Sequence, residues 1–136
     1  MTTLMILMPT GGQIDTPAVH SLMGLTQALQ RRGIPFALKT YEWSDLVISR
    51  NYLVSCFLAD KQFTHALLLD SDMSYHPQLF FDLLDFDADF TVAAYPQRQM
   101  RWREFRAAIE REAAKPEAER AATADLLAES LRYNIA

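Results

Sequence analysis

Hydrophobic residues up to residue 94 are concentrated in short runs that are bounded by turn residues. The runs cover residues 4–8, 36–40, 66–69 and 90–94; the first and third are continuous, and the second directly follows Pro35 and ends in two polar residues. Continuous apolar runs of this length are typical of strands that are buried on both faces of a parallel sheet. The pattern therefore predicts four strands.

Stretches with helical periodicity lie between these runs. The first predicted helix has Thr16 as its N-cap and stops at Gly33. The second begins near Ser44 or Asp45, or alternatively only at Ser49. Strands and helices that alternate with short connections are typical of βαβ units. We expect an α/β fold with a Rossmann-like, mostly parallel sheet of about four strands and flanking helices.

The carboxyl-terminal part of the pattern is mainly helical. A short helix is predicted over residues 77–84, before the last run. Residues 101–132 are rich in Ala, Glu and Arg and contain two helical patterns, with a strand candidate over residues 131–135. We therefore divide the chain into an α/β domain, residues 1–100, and a helical tail, residues 101–136, which is an extension of that domain or a truncated continuation.

Composition narrows the classes of partner and compartment. Half of the 136 residues are hydrophobic and the formal net charge is −4, whereas proteins that bind nucleic acid show a clustered basic surface. The single cysteine, Cys56, excludes an intrachain disulfide and fits a reducing compartment. No apolar run approaches the roughly 20 residues that span a bilayer. We expect a cytoplasmic protein without a nucleic-acid partner or transmembrane segment, with peripheral membrane attachment left open.

Candidate chemistry is concentrated after the third run, where Asp70 and Asp72 follow three leucines. A strand that ends in a sharp turn can direct both carboxylates to one hard cation, and Mg²⁺ or Mn²⁺ bridges such carboxylates to phosphates. The alternative is a pair of solvated turn aspartates. The buried run before the pair favours a ligand site, because ligands of open α/β sheets bind outside the carboxyl ends of the strands.

Two other segments are candidates for phosphate contact. Gly11 and Gly12 follow the first strand, but a Walker A lysine and the dinucleotide glycine fingerprint are both missing, so a tight turn is the simpler interpretation. Backbone N–H groups there could still approach a nucleotide. Arg50 offers a guanidinium for bidentate recognition of phosphate. An ordinary solvated position on the helix explains Arg50 equally well.

Several of these elements follow one another in a characteristic order. They are Met8-Pro9-Thr10, Ser49-Arg50-Asn51, residues 67–73 with their Asp-X-Asp signature, Pro77, and Ala94-Tyr95-Pro96. Their order and spacing over residues 4–100 resemble the nucleotide-diphospho-sugar glycosyltransferases of the GT-A fold. The resemblance implies that residues 1–100 form a nucleotide-sugar-binding domain.

The resemblance also implies a metal-dependent glycosyltransferase, or its donor-binding half, that uses a nucleoside-diphosphate sugar of the UDP or GDP type and an unknown acceptor. Asp70 and Asp72 would bind Mn²⁺ or Mg²⁺, which acts as a Lewis acid on the departing diphosphate. The nucleotide-binding residues that it implies are Pro9, Thr10, Gly11, Arg50, Asn51, Asp70 and Ser71. It assigns no catalytic residue.

The chain departs from the family in its length. Enzymes of the GT-A fold usually continue with further strands, the acceptor site and any catalytic base. We therefore expect a donor-binding half, with an open sheet edge through which two copies could associate.

Two other classes of protein remain open. In a phosphatase of the haloacid-dehalogenase type, Asp70 would be the nucleophile and Asp72 the acid and base. Against that class, the pair follows the third strand rather than the first, and Met73-Ser74 stands where Gly-Thr is usual. The other class is a non-catalytic module that binds a nucleotide or a partner. Activity on a simple phosphate monoester would identify the phosphatase.

Overall fold

The computed structural model describes the backbone of residues 1–134 and the side chains of residues 1–95 and 101–131. The chain forms two compact units, Met1–Asp87 and Ala88–Ala136, which we call the first and the second unit. The first contains a three-stranded parallel sheet, and the second contains a two-stranded antiparallel sheet. The predicted α/β class is therefore confirmed at this level.

The first unit places the carboxyl ends of its strands at one edge of the sheet. Its elements are β1 (Leu4–Thr10), α1 (Thr16–Arg31), β2 (Phe36–Glu42), α2 (Leu46–Ala59), β3 (His65–Leu68) and α3 (Gln78–Asp85). The strand order is β2-β1-β3, and Leu4 is aligned with Phe36 on one side and with His65 on the other. The direction of strand addition therefore reverses at β1, a place where open α/β sheets bind ligands.

The central strand, β1, holds the core together, and all 7 of its residues are buried. Alternate side chains of a strand point to opposite faces. Leu4 and Ile6 pack on the face that α1 and α3 cover, whereas Met5 and Leu7 pack with Leu53 of α2 on the other face. The residues of α1 and α3 in the first cluster are Leu25, Leu29, Phe80 and Phe81.

The ends of α1 follow from local chemistry. The predicted N-cap, Thr16, is wrong by one residue, because the backbone C=O of Asp15 accepts the first helical hydrogen bond, from the N–H of Val19 (3.0 Å). After the helix, Gly33 has φ +66°, a left-handed conformation that glycine adopts without strain. The predicted stop at Gly33 is confirmed.

The start of α2 agrees with the earlier of the two predicted positions. Asp45 is the N-cap, and its side-chain Oδ1 accepts a hydrogen bond from the N–H of Ile48 (3.0 Å). The helix therefore begins at Leu46 rather than at Ser49. A capped start keeps the first turn of α2 in place at the end of β2.

The predicted fourth strand over residues 90–94 is wrong. These residues are in irregular structure, and a strand, β4 (Tyr95–Met100), begins only after them. It pairs antiparallel with β5 (Leu131–Asn134) in the second unit, so the parallel sheet has three strands instead of about four. A hydrophobic run does not show which strand its residues would pair with. Without a partner strand these residues are not buried, and Phe90 is 77% exposed.

The second unit is not purely helical. Between β4 and β5 it contains α4 (Trp102–Ala113), a short 3₁₀ turn (Glu117–Glu119) and α5 (Thr123–Ser130). The buried Glu112 accepts hydrogen bonds from the N–H of Ala121 (3.0 Å) and from Lys115 Nζ (2.7 Å), which hold the pKa of this carboxyl below its usual value. Residue 135 of the predicted last strand lies outside the described residues.

Two of the sequence expectations concern surfaces. No helix in residues 1–134 combines the length and the apolar character that are needed to cross a bilayer. In the first unit, β2 and β3 are the outer strands of the sheet. Association of two copies through an outer strand stays a prediction.

Tyr75 places a hydroxyl group in an apolar environment. The ring packs against the cluster of β1, α1 and α3, and its Oη is buried without a hydrogen-bond partner among the described residues. Burial raises the pKa of Tyr75 from 10.0 to about 12. The backbone is fixed independently, because the N–H of Tyr75 donates to Ser21 Oγ (2.9 Å).

Replacing Tyr75 with phenylalanine is expected to maintain or raise the free energy of unfolding, by up to about 1 kcal/mol, because a buried hydroxyl without a partner is unfavourable. The pKa of Tyr75 is higher in the folded protein than its ordinary value of 10.0, so the protonated phenol favours the folded state. This stabilisation is present below pH 10 and is lost as the pH rises towards about 12. Tyr75→Phe should lack this alkaline loss. Urea unfolding of both proteins across that pH range measures it; a less stable variant would contradict the prediction.

Candidate functional site

A cavity of about 290 Å³ lies at the carboxyl ends of the three parallel strands. Its walls are Pro9, Thr10 and Gly11 at the end of β1, Trp43, Ser44 and Leu46 after β2, and Asp70, Ser71 and Asp72 after β3. Parallel strands bring these distant segments to the same edge of the sheet. The volume is at the lower end of the range for small-molecule pockets, about 300 to 1,000 Å³.

Backbone hydrogen bonds tie the three walls of the cavity together. The N–H of Trp43 donates to the C=O of Thr10 (3.1 Å), which joins the second loop to the first. The N–H of Asp15 donates to the C=O of Ser71 (2.9 Å), which joins the first loop to the third. Side-chain substitutions in these walls therefore leave the bonds between the loops intact.

Arg50 of α2 lies beside the aspartate pair. Its Nη2 donates to Asp70 Oδ1 at 2.8 Å, and the side chains of Arg50 and Asp70 are 40% and 27% exposed. An ion pair this open to solvent adds only about 0 to 1 kcal/mol to stability. Its main consequence is that a guanidinium is held next to Asp70, which lines the cavity.

Asn51 is placed differently from the other nucleotide-binding candidates. It is exposed on α2, its backbone C=O accepts a hydrogen bond from Ser55 Oγ (2.8 Å), and it is not among the residues that line the cavity. Neighbouring helix residues point about 100° apart, so Asn51 and Arg50 face different directions. Arg50 is also not among the lining residues, and it is joined to them through its ion pair with Asp70. The predicted residues that the structure places in the cavity are Pro9, Thr10, Gly11, Asp70, Ser71 and Asp72, whereas Asn51 lies outside it.

Three residues of the cavity were missed in the sequence. Trp43, Ser44 and Leu46 form the wall that follows β2. The predicted site residues come from charged and glycine-rich segments, whereas this wall is largely apolar. The signal was available, since the rule that ligands bind at the carboxyl ends of strands applies to β2 as it does to β3.

The residues present can contribute to a divalent cation site but do not complete one. Asp70, Ser71 and Asp72 offer only oxygen donors, which suit Mg²⁺ or Mn²⁺. Among the residues that the structure describes, no group of three or more His, Cys, Asp or Glu side chains could hold a metal ion. An ion here would need further oxygens, and Mg²⁺ is commonly bound by one or two carboxylates together with substrate phosphates and water. The donor set fits that arrangement.

Comparisons with protein-family models, with curated proteins and with solved structures give no match to this chain. Function therefore has to be inferred from the cavity and its residues. The resemblance to the GT-A glycosyltransferases stays a prediction from the sequence.

The loop after β1 depends on Gly12. This residue has φ +92°, and a Cβ built on it would lie 2.9 Å from Glu42 Oε1. Gly11 has neither a positive φ nor any atom within 4 Å of such a Cβ. The carboxylate of Glu42 can move, so the backbone conformation is the main reason for glycine at position 12.

We expect Gly12→Ala to lower the free energy of unfolding by about 1 to 3 kcal/mol, because alanine is strained at this φ. Gly11→Ala is the matched control and should be neutral, or more stable by up to about 1 kcal/mol, since it only restricts the unfolded chain. Urea unfolding of the two variants measures both effects. Equal changes in stability would mean that the turn does not require glycine at position 12.

Proposed function

We propose that the first unit binds the diphosphate of a nucleotide together with Mg²⁺ or Mn²⁺, as the donor site of a GT-A-type glycosyltransferase. The supporting observation is that Asp70, Ser71 and Asp72 line one cavity at the carboxyl edge of the sheet, with Arg50 paired to Asp70. The donor would be a nucleoside-diphosphate sugar of the UDP or GDP type. The acceptor and the catalytic residue stay unassigned.

The mixture of charges favours a metal-bound diphosphate over simpler ligands. Two carboxylates, Asp70 and Asp72, would repel a phosphate that arrived without a cation. Arg50 would repel a ligand that carried only positive charge. A diphosphate with a divalent cation would satisfy both, because Asp70 and Asp72 would hold the cation, the cation would neutralise phosphate charge, and the guanidinium of Arg50 would donate to phosphate oxygens.

Each residue then has a separate binding role. Asp72, with Asp70, would hold the cation, and phosphate oxygens and water would complete its coordination. A bound cation would supply Lewis-acid neutralisation of the diphosphate charge. Arg50 would orient the diphosphate through directional hydrogen bonds. Pro9, Thr10 and Gly11 are proposed to line the pocket for the base and the ribose.

Asp72 gives the most direct test. Asp72→Asn removes the charge but keeps the shape of an exposed side chain, so the fold should be unchanged. Its affinity for UDP or GDP in the presence of Mn²⁺ should fall by at least about tenfold, which corresponds to about 1.4 kcal/mol. Calorimetric titration with and without Mn²⁺ measures this change. Asp85→Asn, an identical charge change at the exposed end of α3, is the control.

The same titrations distinguish the other classes of protein. Unchanged metal-dependent binding by Asp72→Asn would exclude the proposed role of Asp72. Binding that needs no metal and leads to no turnover of the sugar conjugates would indicate a non-catalytic module. Release of phosphate from a simple monoester, without dependence on a nucleotide, would instead indicate a phosphatase.

Arg50 is expected to serve the phosphate rather than the metal. Arg50→Gln should weaken binding of the nucleoside diphosphate by about tenfold while binding still depends on Mn²⁺, because a charged hydrogen bond is worth about 1.5 to 3 kcal/mol. Arg31→Gln, an exposed arginine at the end of α1, is the control. Calorimetric titration of both variants measures the affinities. If Arg50→Gln binds the nucleoside diphosphate as tightly as Arg31→Gln does, Arg50 has no role in the site.

A further inference from the structure

Trp43 is partly exposed where it lines the cavity. The residue is 54% exposed, and Pro9 and Leu46 line the same cavity. Burying a tryptophan contributes a large apolar area, so a ring held at the mouth of a cavity is available to a ligand. The exposed part of Trp43 is therefore accessible to a ligand in the cavity.

The backbone beneath this ring is joined to the end of β1. The N–H of Trp43 donates to the C=O of Thr10 (3.1 Å), the last residue of that strand. The hydroxyl of the buried Ser49 donates its single proton to the C=O of Asp45 (2.8 Å), and the C=O of Trp43 is only a distant second acceptor (3.5 Å). A side chain on a fixed backbone loses less freedom when a ligand binds.

The cavity has two chemically different sides. Pro9, Trp43 and Leu46 give it an apolar and aromatic side, and Asp70 and Asp72 give it an acidic side. A complementary ligand has a flat, weakly polar ring at one end and an anionic group that brings a cation at the other. A nucleoside diphosphate combines these two parts, whereas inorganic pyrophosphate has only the second.

We propose that Trp43 is the stacking platform for the nucleobase and thereby determines whether the site prefers a nucleotide to a bare diphosphate. This inference rests on the proposed function, and it adds the side chain that recognises the base. Stacking of a base on an aromatic side chain is worth about 5- to 150-fold in affinity. The platform accepts any base, because every base has a π face.

The experiment first compares the wild type with Trp43→Leu and Trp43→Phe. The ligands are UDP and inorganic pyrophosphate, with glucose 1-phosphate as a control for stacking on a sugar, and each is titrated with Mg²⁺ in a calorimeter. Trp43→Leu should bind UDP at least about fivefold more weakly than the wild type, and its affinity for pyrophosphate should be unchanged. Trp43→Phe keeps an aromatic face and should recover most of the affinity for UDP.

Trp102 provides the matched control, because it is an exposed tryptophan (68%) that belongs to the second unit. Trp102→Phe should bind both ligands as the wild type does. In this variant Trp43 is the only tryptophan, since the chain has 2. Its fluorescence should be quenched by UDP with Mg²⁺ and not by pyrophosphate with Mg²⁺.

The possible failures are distinguishable. If the wild type binds UDP and pyrophosphate equally, the base is not recognised and the stacking role is overturned, although the metal–diphosphate site stands. If Trp43→Leu weakens both ligands equally, Trp43 only shapes the cavity. If Trp43→Leu weakens glucose 1-phosphate as much as UDP, the ring stacks on a sugar instead of a base. If the wild type binds neither diphosphate, the proposed function fails as well.

Discussion

Burial of β1 on both faces is the constraint on which the first unit depends. A strand can be buried in this way only if it is central in its sheet and if helices cover both faces, and here β2 and β3 flank it while α2 lies opposite α1 and α3. Parallel pairing then brings the ends of all three strands to one edge. The cavity between these ends is therefore a result of the same arrangement that forms the core.

The chemistry of that edge depends on loops that the core does not contain. Asp70 and Asp72 are presented by the turn after β3, and Arg50 reaches Asp70 from α2. Helix capping by Asp45 holds the start of α2, and backbone hydrogen bonds from Trp43 and Asp15 join the loops. The loops that carry the polar side chains are thus held mainly by bonds of the backbone. A change of a polar side chain in the cavity need not alter the position of its loop.

Sequence patterns predicted elements with strong local signals and were less informative where partners decide the structure. The apolar run of β1 and the stop at Gly33 depend on local composition, and both were found. Residues 90–94 have an equally apolar sequence, but strand formation needs a pairing partner, which hydrophobicity does not identify. In the site, residue type alone was enough to identify Asp70 and Asp72 as candidates. Trp43 lines the cavity because it follows the end of β2, and its residue type gave no such signal.

The ion pair between Arg50 and Asp70 has a thermodynamic consequence. Under the proposed function, a bare cation that approached Asp70 would compete with the guanidinium of Arg50, which is 2.8 Å away, so the pair would oppose cation binding in the absence of an anion. A diphosphate would offer Arg50 another partner and would release Asp70 for the cation. Cation and diphosphate would then bind with positive cooperativity, and linkage requires each to raise the affinity for the other by the same factor.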